Sequence, residues 1–331
     1  MCGLAGVILA RRDRAPAARR RVWDRFTRLL VCAQSRGRDA AGVALVRDDG
    51  SFALEKMPLR ASEFVRTDAY RMIGRRLDDS TVAVLGHARL ATQGSADNPA
   101  NNHPIHLASL PGIHGPVIGI HNGRVPNDRR LFLKYGYPRE AQVDSEIIFR
   151  LVAEAFRWRH GPRRLLRGYL GELRGQSTIA WVMLDEPHLV RLLRRRQPLC
   201  HVDDAGDGAV YFGSLTRAMR EVFGGTCDVA AYRENMVCTY DTRSGSTAME
   251  PDPVEVPCAD EELEQLEFDT LRRIAAASAF VRTLHREGAL EGGARDLDGT
   301  LDFDALERIA RDSDFVRSME VLLGIERGPR G

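Results

Sequence analysis

Residues 1–10 read MCGLAGVILA, and the fold is decided by how this stretch is read. From Gly3 to Leu9 nearly every side chain is apolar, with no polar alternation. Such a run suits a strand buried on both faces. Cys2 stands directly before it, after the initiator methionine. A small residue at that place favours removal of Met1, which would leave an α-amino group beside a thiol. The amine has an ordinary pKa of about 8 and the thiol about 8.5. The amine is then partly unprotonated at neutral pH, and one residue can supply both nucleophile and base. Taken alone, the position reads better as a small buried hydrophobe.

Working outward, residues 16–34 have Val22, Phe26, Leu29, Leu30 and Ala33 at helical spacing. AGVALVR and SFALEKM flank Asp48-Asp49-Gly50, a hairpin signal. TVAVLGHARL (81–90) reads as a strand running into a loop, and 93–115 is rich in Gly, Asn, Pro and His. A loop of that length in a compact domain is usually functional. VIGIH (117–121) reads as a strand ending at Asn122-Gly123. Residues from Asp144 to Ala155 read as a helix, with STIAWVML, LVRLLRR and MVCTYD as later strands. Strands cluster with strands and helices with helices, which favours an α+β layered architecture with antiparallel sheets.

The chain has 331 residues, a net charge of +2 and six cysteines. That charge gives no reason to expect a polyanionic partner, and the arginine clusters at 19–21 and 194–196 read as solvated faces. Lysine appears at Lys56 and Lys134 alone, arginine supplying the other basic side chains. No cysteine pair has C-x-x-C or zinc spacing, and cysteines this sparse do not make a disulfide framework. A reduced, cytoplasmic setting is the expectation. No apolar run approaches the ~20 residues of a membrane span.

Six segments occur in order: MCGLAGV, SRGRDAAGVAL (35–45), GHARLATQG (86–94), NNHPI (101–105), IHNG (120–123) and VDSEII (143–148). Together they resemble the class II glutamine amidotransferase domain, an N-terminal-nucleophile (Ntn) hydrolase. The pattern of glucosamine-6-phosphate synthase is the best match, over roughly 2–240. The resemblance implies an α+β fold, a four-layer αββα sandwich, and a glutaminase acting through a cysteinyl thioester. Cys2 is the nucleophile it implies, and Asn122 and Gly123 are the oxyanion donors. Asn-Gly is also a common hairpin turn. Arg89 would take the glutamine α-carboxylate bidentately, and Thr92 would add a hydroxyl to that pocket. Asp144 would hold the α-ammonium, and it can also cap the helix that follows. Arg36 and Asp39 would support the nucleophile from nearby. His87 and His103 fall inside motifs but read better as structural histidines. The substrate implied is L-glutamine, and the hydrolysis needs neither metal nor cofactor.

Two positions depart from the pattern. Leu90 stands where an aromatic residue is usual, and Gln93 where histidine is usual. Both belong to a loop expected to close over substrate.

The domain boundaries read as 2–241 for the amidotransferase domain, 242–259 for a linker or extended arm with Pro251, Pro253 and Pro257, and 260–331 for a helical C-terminal extension. That extension has no nucleotide fingerprint. The ammonia acceptor is therefore expected on a separate synthase subunit. Two other functions fit the same residues: an N-terminal-cysteine amidase of different specificity, and a catalytically idle binding or regulatory module.

Overall fold

The computed structural model describes residues 2–108, 115–157, 162–244 and 254–256. All lie within one compact unit, Met1–Ala259. The helices expected at 260–287 and 303–323 lie outside the described residues, as does Met1.

The chain starts with strand β1 (Gly3–Leu9), helix α1 (Pro16–Ala33) and the hairpin β2 (Ala40–Arg47) and β3 (Phe52–Met57). Two short helices, α2 (Ala61–Phe64) and α3 (Asp68–Gly74), lead into β4 (Thr81–Arg89). Next come β5 (Ile105–Leu107), β6 (Val117–Arg124), α4 (Asp128–Tyr135), α5 (Ser145–Arg157) and α6 (Pro162–Gly171). The remainder comprises β7 (Gln176–Met183), β8 (Leu189–Leu193), β9 (Cys200–Asp204), β10 (Ala209–Gly213), α7 (Thr216–Phe223), β11 (Ala230–Ala231), β12 (Met236–Asp241) and β13 (Val254–Glu255).

The strands form two sheets. One has the order β11-β9-β10-β1-β4-β2-β3 and the other β13-β12-β8-β7-β6-β5. The named strands pair antiparallel throughout. The expected α+β class with antiparallel sheets is therefore what the chain adopts. β1 sits between β10 and β4 and is buried along its whole length, as its unbroken apolar run requires.

Among the described residues three apolar clusters account for the packing. One joins Leu4, Ile8, Leu85 and Phe212 of the first sheet to Ile118, Ile120, Val182 and Leu192 of the second. Another lies under α1, with Val22, Phe26, Leu29 and Leu30 against Ala5, Val7, Val43 and Val84. The third sets Ile147, Ile148, Leu151 and Val152 of α5 against Val117, Ile179 and Trp181. Alternate residues of one strand thus serve different clusters, as a period of two demands. Each fully buried Leu, Ile or Phe contributes about 1.5–3 kcal/mol relative to exposure.

α1 begins with Pro16 in its first turn, where a missing N–H costs nothing. Its buried face is the one the spacing predicts, Val22, Phe26, Leu29, Leu30 and Ala33. Past its end the chain turns through Gly37, where any Cβ would collide with the Arg89–Leu90 backbone. That close approach brings the end of β4 against the residues leading into β2. The segment expected as a linker returns in part to the fold, since Met236 and Val237 pair with Glu255 and Val254 and Val256 is fully buried.

Candidate active site

Cys2 leads into β1, whose Gly3 and Leu4 stand opposite Ala88 and His87 of β4. This register places the thiol beside the chain that leaves β4. The Leu90 N–H donates to Cys2 Sγ at 3.4 Å, and the thiol lies 3.6 Å from the Leu90 carbonyl. Burial pushes the thiol pKa up, while the Leu90 N–H and the Arg89 charge pull it down and Asp144 raises it.

Two side chains brace this arrangement. Arg36 Nε donates to the Cys2 carbonyl at 2.8 Å, and Arg36 Nη2 donates to Gln197 Oε1 at 3.0 Å. The Asp39 N–H donates to the Arg89 carbonyl at 2.9 Å, and Asp39 Oδ2 accepts from the Ala91 N–H at 2.7 Å. Asp39 therefore fixes the chain on both sides of Leu90, the residue in contact with the sulfur.

Arg89 ends β4 and is buried, at 3% exposure. Its Nη1 donates to Asn102 Oδ1 at 2.8 Å, and its Nη2 donates to the carbonyls of Gln93 and Gly94 at 2.6 and 2.9 Å. Burial lowers its pKa, and the charges of Cys2, Asp39 and Asp144 partly offset this. Lys56 Nζ holds the following loop, donating to the carbonyls of Asn102 and Pro104 at 2.9 and 3.3 Å. Thr92 is exposed on the loop and makes none of these bonds.

Asp144 immediately precedes α5. Its Oδ2 accepts from the Val125 N–H at 2.7 Å, and Ser145 Oγ donates to its Oδ1 at 3.4 Å. Its own N–H donates to Gln93 Oε1 at 3.0 Å. The carboxylate is thus held by the chain leaving β6, on top of any role in starting the helix.

Asn122 and Gly123 do not form the turn that Asn-Gly often makes. β6 runs through them, with Asn122 opposite Thr178 and Gly123 opposite Ser177 of β7. Asn122 is fully buried, and neither Oδ1 nor Nδ2 has a hydrogen-bond partner. An amide buried this way costs about 1–3 kcal/mol, so the fold carries a donor and an acceptor that it does not use. Gly123 could be no other residue, because a Cβ there would strike the Gln176 carbonyl.

His87, His103 and His121 lie together, all buried. The rings of His87 and His103 stack with centroids 4.3 Å apart, and His103 and His121 are 6.3 Å apart. His87 Nε2 bonds to the His121 carbonyl at 2.9 Å, and His121 Nδ1 bonds to Ser145 Oγ at 2.7 Å. This links β4 to the facing strand that carries Asn122. Burial pushes the His87 pKa down to about 3 and that of His103 well below its ordinary value. His121 is also lowered by burial, with Asp144 opposing. Among the described residues no group of three or more His, Cys, Asp or Glu is placed to hold a metal ion.

The structure therefore gathers Cys2, Arg36, Asp39 and Arg89 around one turn of chain, with Asp144 joined through Gln93. His87 connects the Asn122 strand to the same region. Sequence reasoning missed the parts played by Gln93, Asn102, Ser145 and Gln197, all uncharged side chains. Gln93, Asn102 and Ser145 do fall within segments singled out by their motifs.

Comparisons with known proteins bear on the family and the fold. No protein-family model matches the chain. The glutamine–fructose-6-phosphate aminotransferase (isomerizing) of Zymomonas mobilis is 30% identical over 222 residues, covering 66% of this chain and 32% of that protein. The Leifsonia xyli protein of the same name is 32% identical over 190 residues, covering 56% of this chain and 29% of its own. The chain spans about a third of the length of the curated relatives it matches. A solved structure described as the allosteric regulatory enzyme of purine biosynthesis superposes with a TM-score of 0.55 at 17% identity, covering 75% of this chain and 48% of that one. The Bacillus subtilis glutamine phosphoribosylpyrophosphate amidotransferase gives 0.53 at 18% identity, covering 75% and 49%. The two antiparallel sheets, with β1 central in the first, give the chain the Ntn-hydrolase type of fold that these structures have. Within that class, the chain carries a class II glutamine amidotransferase domain. Among the described residues no helix is long and apolar enough to cross a membrane.

Proposed function

We propose that the chain is a glutaminase that uses Cys2 to hydrolyse L-glutamine and supplies the ammonia to an acceptor on a separate synthase subunit. The grouping of the Cys2 sulfur, buried Arg89 and Asp144 around the loop 89–94 carries this reading. Arg89 and Asp144 have the charges that an α-amino acid requires, and Cys2 has the nucleophile that its side-chain amide requires. The finer fold reading, a four-layer αββα sandwich, draws support from one apolar cluster between the sheets and two others that join helices to them. The boundaries at 2–241, 242–259 and 260–331 remain part of the proposal.

In the first half-reaction, the α-amine exposed by loss of Met1 takes the thiol proton. The sulfur then attacks the side-chain amide carbon, and its oxygen becomes negative. Asn122 Nδ2 and the Gly123 N–H stabilise that oxyanion. The C–N bond breaks, nitrogen takes the proton, and ammonia leaves a γ-glutamyl thioester on Cys2. Water attacks the thioester in the second half, the C–S bond breaks, and glutamate departs with the thiol restored. Arg89 and Asp144 hold the substrate throughout by its α-carboxylate and α-ammonium.

The test is glutamate release from glutamine by the purified protein, its N-terminus verified, beside Cys2→Ala. Release that depends on Cys2 supports the reading. If the protein with Cys2 exposed neither binds nor hydrolyses glutamine, the amidase and binding-module readings replace it.

A further inference from the structure

We infer that Gln93 is a positioning residue that sets the spacing between the two groups gripping the substrate's α-carbon. The inference rests on the glutaminase reading above. Position 93 is one of the two places where the sequence departs from the pattern it resembles, and the structure gives that departure a task. The Gln93 carbonyl accepts from Arg89 Nη2 at 2.6 Å, while its Oε1 accepts from the Asp144 N–H at 3.0 Å. Among the described residues, Gln93 is the one that hydrogen-bonds to both Arg89 and Asp144.

The consequence is geometric. A substrate α-carboxylate and α-ammonium sit on a single carbon, so Arg89 and Asp144 must meet them together. A displacement of about 1 Å in either weakens a charge-assisted hydrogen bond and costs binding. Arg89 is also steadied by Asn102 Oδ1, and the Asp144 carboxylate by the Val125 N–H. Those contacts fix each group against its own neighbourhood, whereas the Gln93 side chain fixes one against the other.

A second strap joins the same two segments. Asn101 Nδ2 donates to Gln142 Oε1 at 3.0 Å, and the Gln142 N–H donates to Asn101 Oδ1 at 2.8 Å. Because this reciprocal pair remains, removing the Gln93 side chain alters the spacing of Arg89 and Asp144 without releasing the loop from 142–144.

The test uses Gln93→Ala and Gln93→Glu in the full chain. Substrates are glutamine, 4-carbamoylbutyrate, which lacks the α-ammonium, and 4-aminobutanamide, which lacks the α-carboxylate. Gln93→Ala raises KM for glutamine about tenfold, leaves kcat within about threefold, and shrinks the preference for glutamine over each analogue. Gln93→Glu keeps an acceptor oxygen in place and recovers most of the KM. Unchanged KM and unchanged discrimination in Gln93→Ala would overturn the inference. So would an equal loss of kcat on all three substrates with a lowered thermal midpoint, the mark of a purely structural role. A wild-type protein that neither hydrolyses nor binds glutamine overturns the glutaminase reading and this inference together. An active wild type with an indifferent Gln93→Ala overturns the inference alone.

Discussion

Arg36 Nε holds the carbonyl of Cys2 at 2.8 Å, so the residue expected to perform the chemistry is tethered by its own backbone. The other end of the guanidinium is anchored on Gln197 Oε1. A hydrogen bond from a charged donor contributes about 1.5–3 kcal/mol. Arg36→Met should therefore loosen the sulfur while leaving Arg89 and Asp144 in place. The expected result is a fall in kcat of about tenfold or more with KM little changed, read by steady-state glutamate release.

Asn122 separates activity from stability. Its amide is buried without a partner, so the folded state gains no hydrogen bond from it. Asn122→Ala should leave the urea midpoint close to wild type, the small cavity offset by one fewer unsatisfied amide. It should reduce kcat about 10²–10³-fold, the usual cost of an oxyanion donor. A large loss of stability with little loss of rate would show that the amide is structural.

Gly123 is constrained by the Gln176 carbonyl rather than by chemistry alone. Gly123→Ala must push β6 away from β7. The expected cost is about 1–3 kcal/mol, typical of overpacking, seen as a lower thermal midpoint together with loss of activity.

The buried histidines set an acid limit. Unfolded, His87, His103 and His121 each take a proton as pH falls through about 6.5. Folded, burial lowers all three, and His87 stays neutral down to about 3. Between these values the unfolded chain binds more protons. The stability from these groups is thus full above about pH 6.5 and drains as pH falls towards 3. Urea midpoints measured across that range should drop steeply. His103→Phe keeps a ring against His87 and removes one titrating group, so its decline should be shallower.

The central strand was legible because a residue buried on both faces must be apolar on both, and CGLAGVIL is. The hairpin at Asp48–Gly50 was legible for the same local reason, in its turn residues. Helices α2 and α3 were not, since four and seven residues show too little of a 3.6-residue period. Asn122 and Gly123 read as a strand's end with a turn as the alternative, and the continuing strand is decided by Ser177 and Thr178, more than fifty residues away. The charged members of the site announced themselves through motifs. Gln93 and Ser145 stood inside motifs without showing their roles and Gln197 stood outside them, because an uncharged hydrogen-bonding side chain gains its role only from the partner that the fold brings to it.

The most direct test of the central claim is to mix the protein with glutamine, quench in acid within the first turnover, and locate any adduct by mass spectrometry. The account predicts a chain that has lost Met1 and carries a γ-glutamyl group on Cys2, absent in Cys2→Ala. Glutamine hydrolysed at the same rate by Cys2→Ala, or an adduct on any other residue, would contradict it.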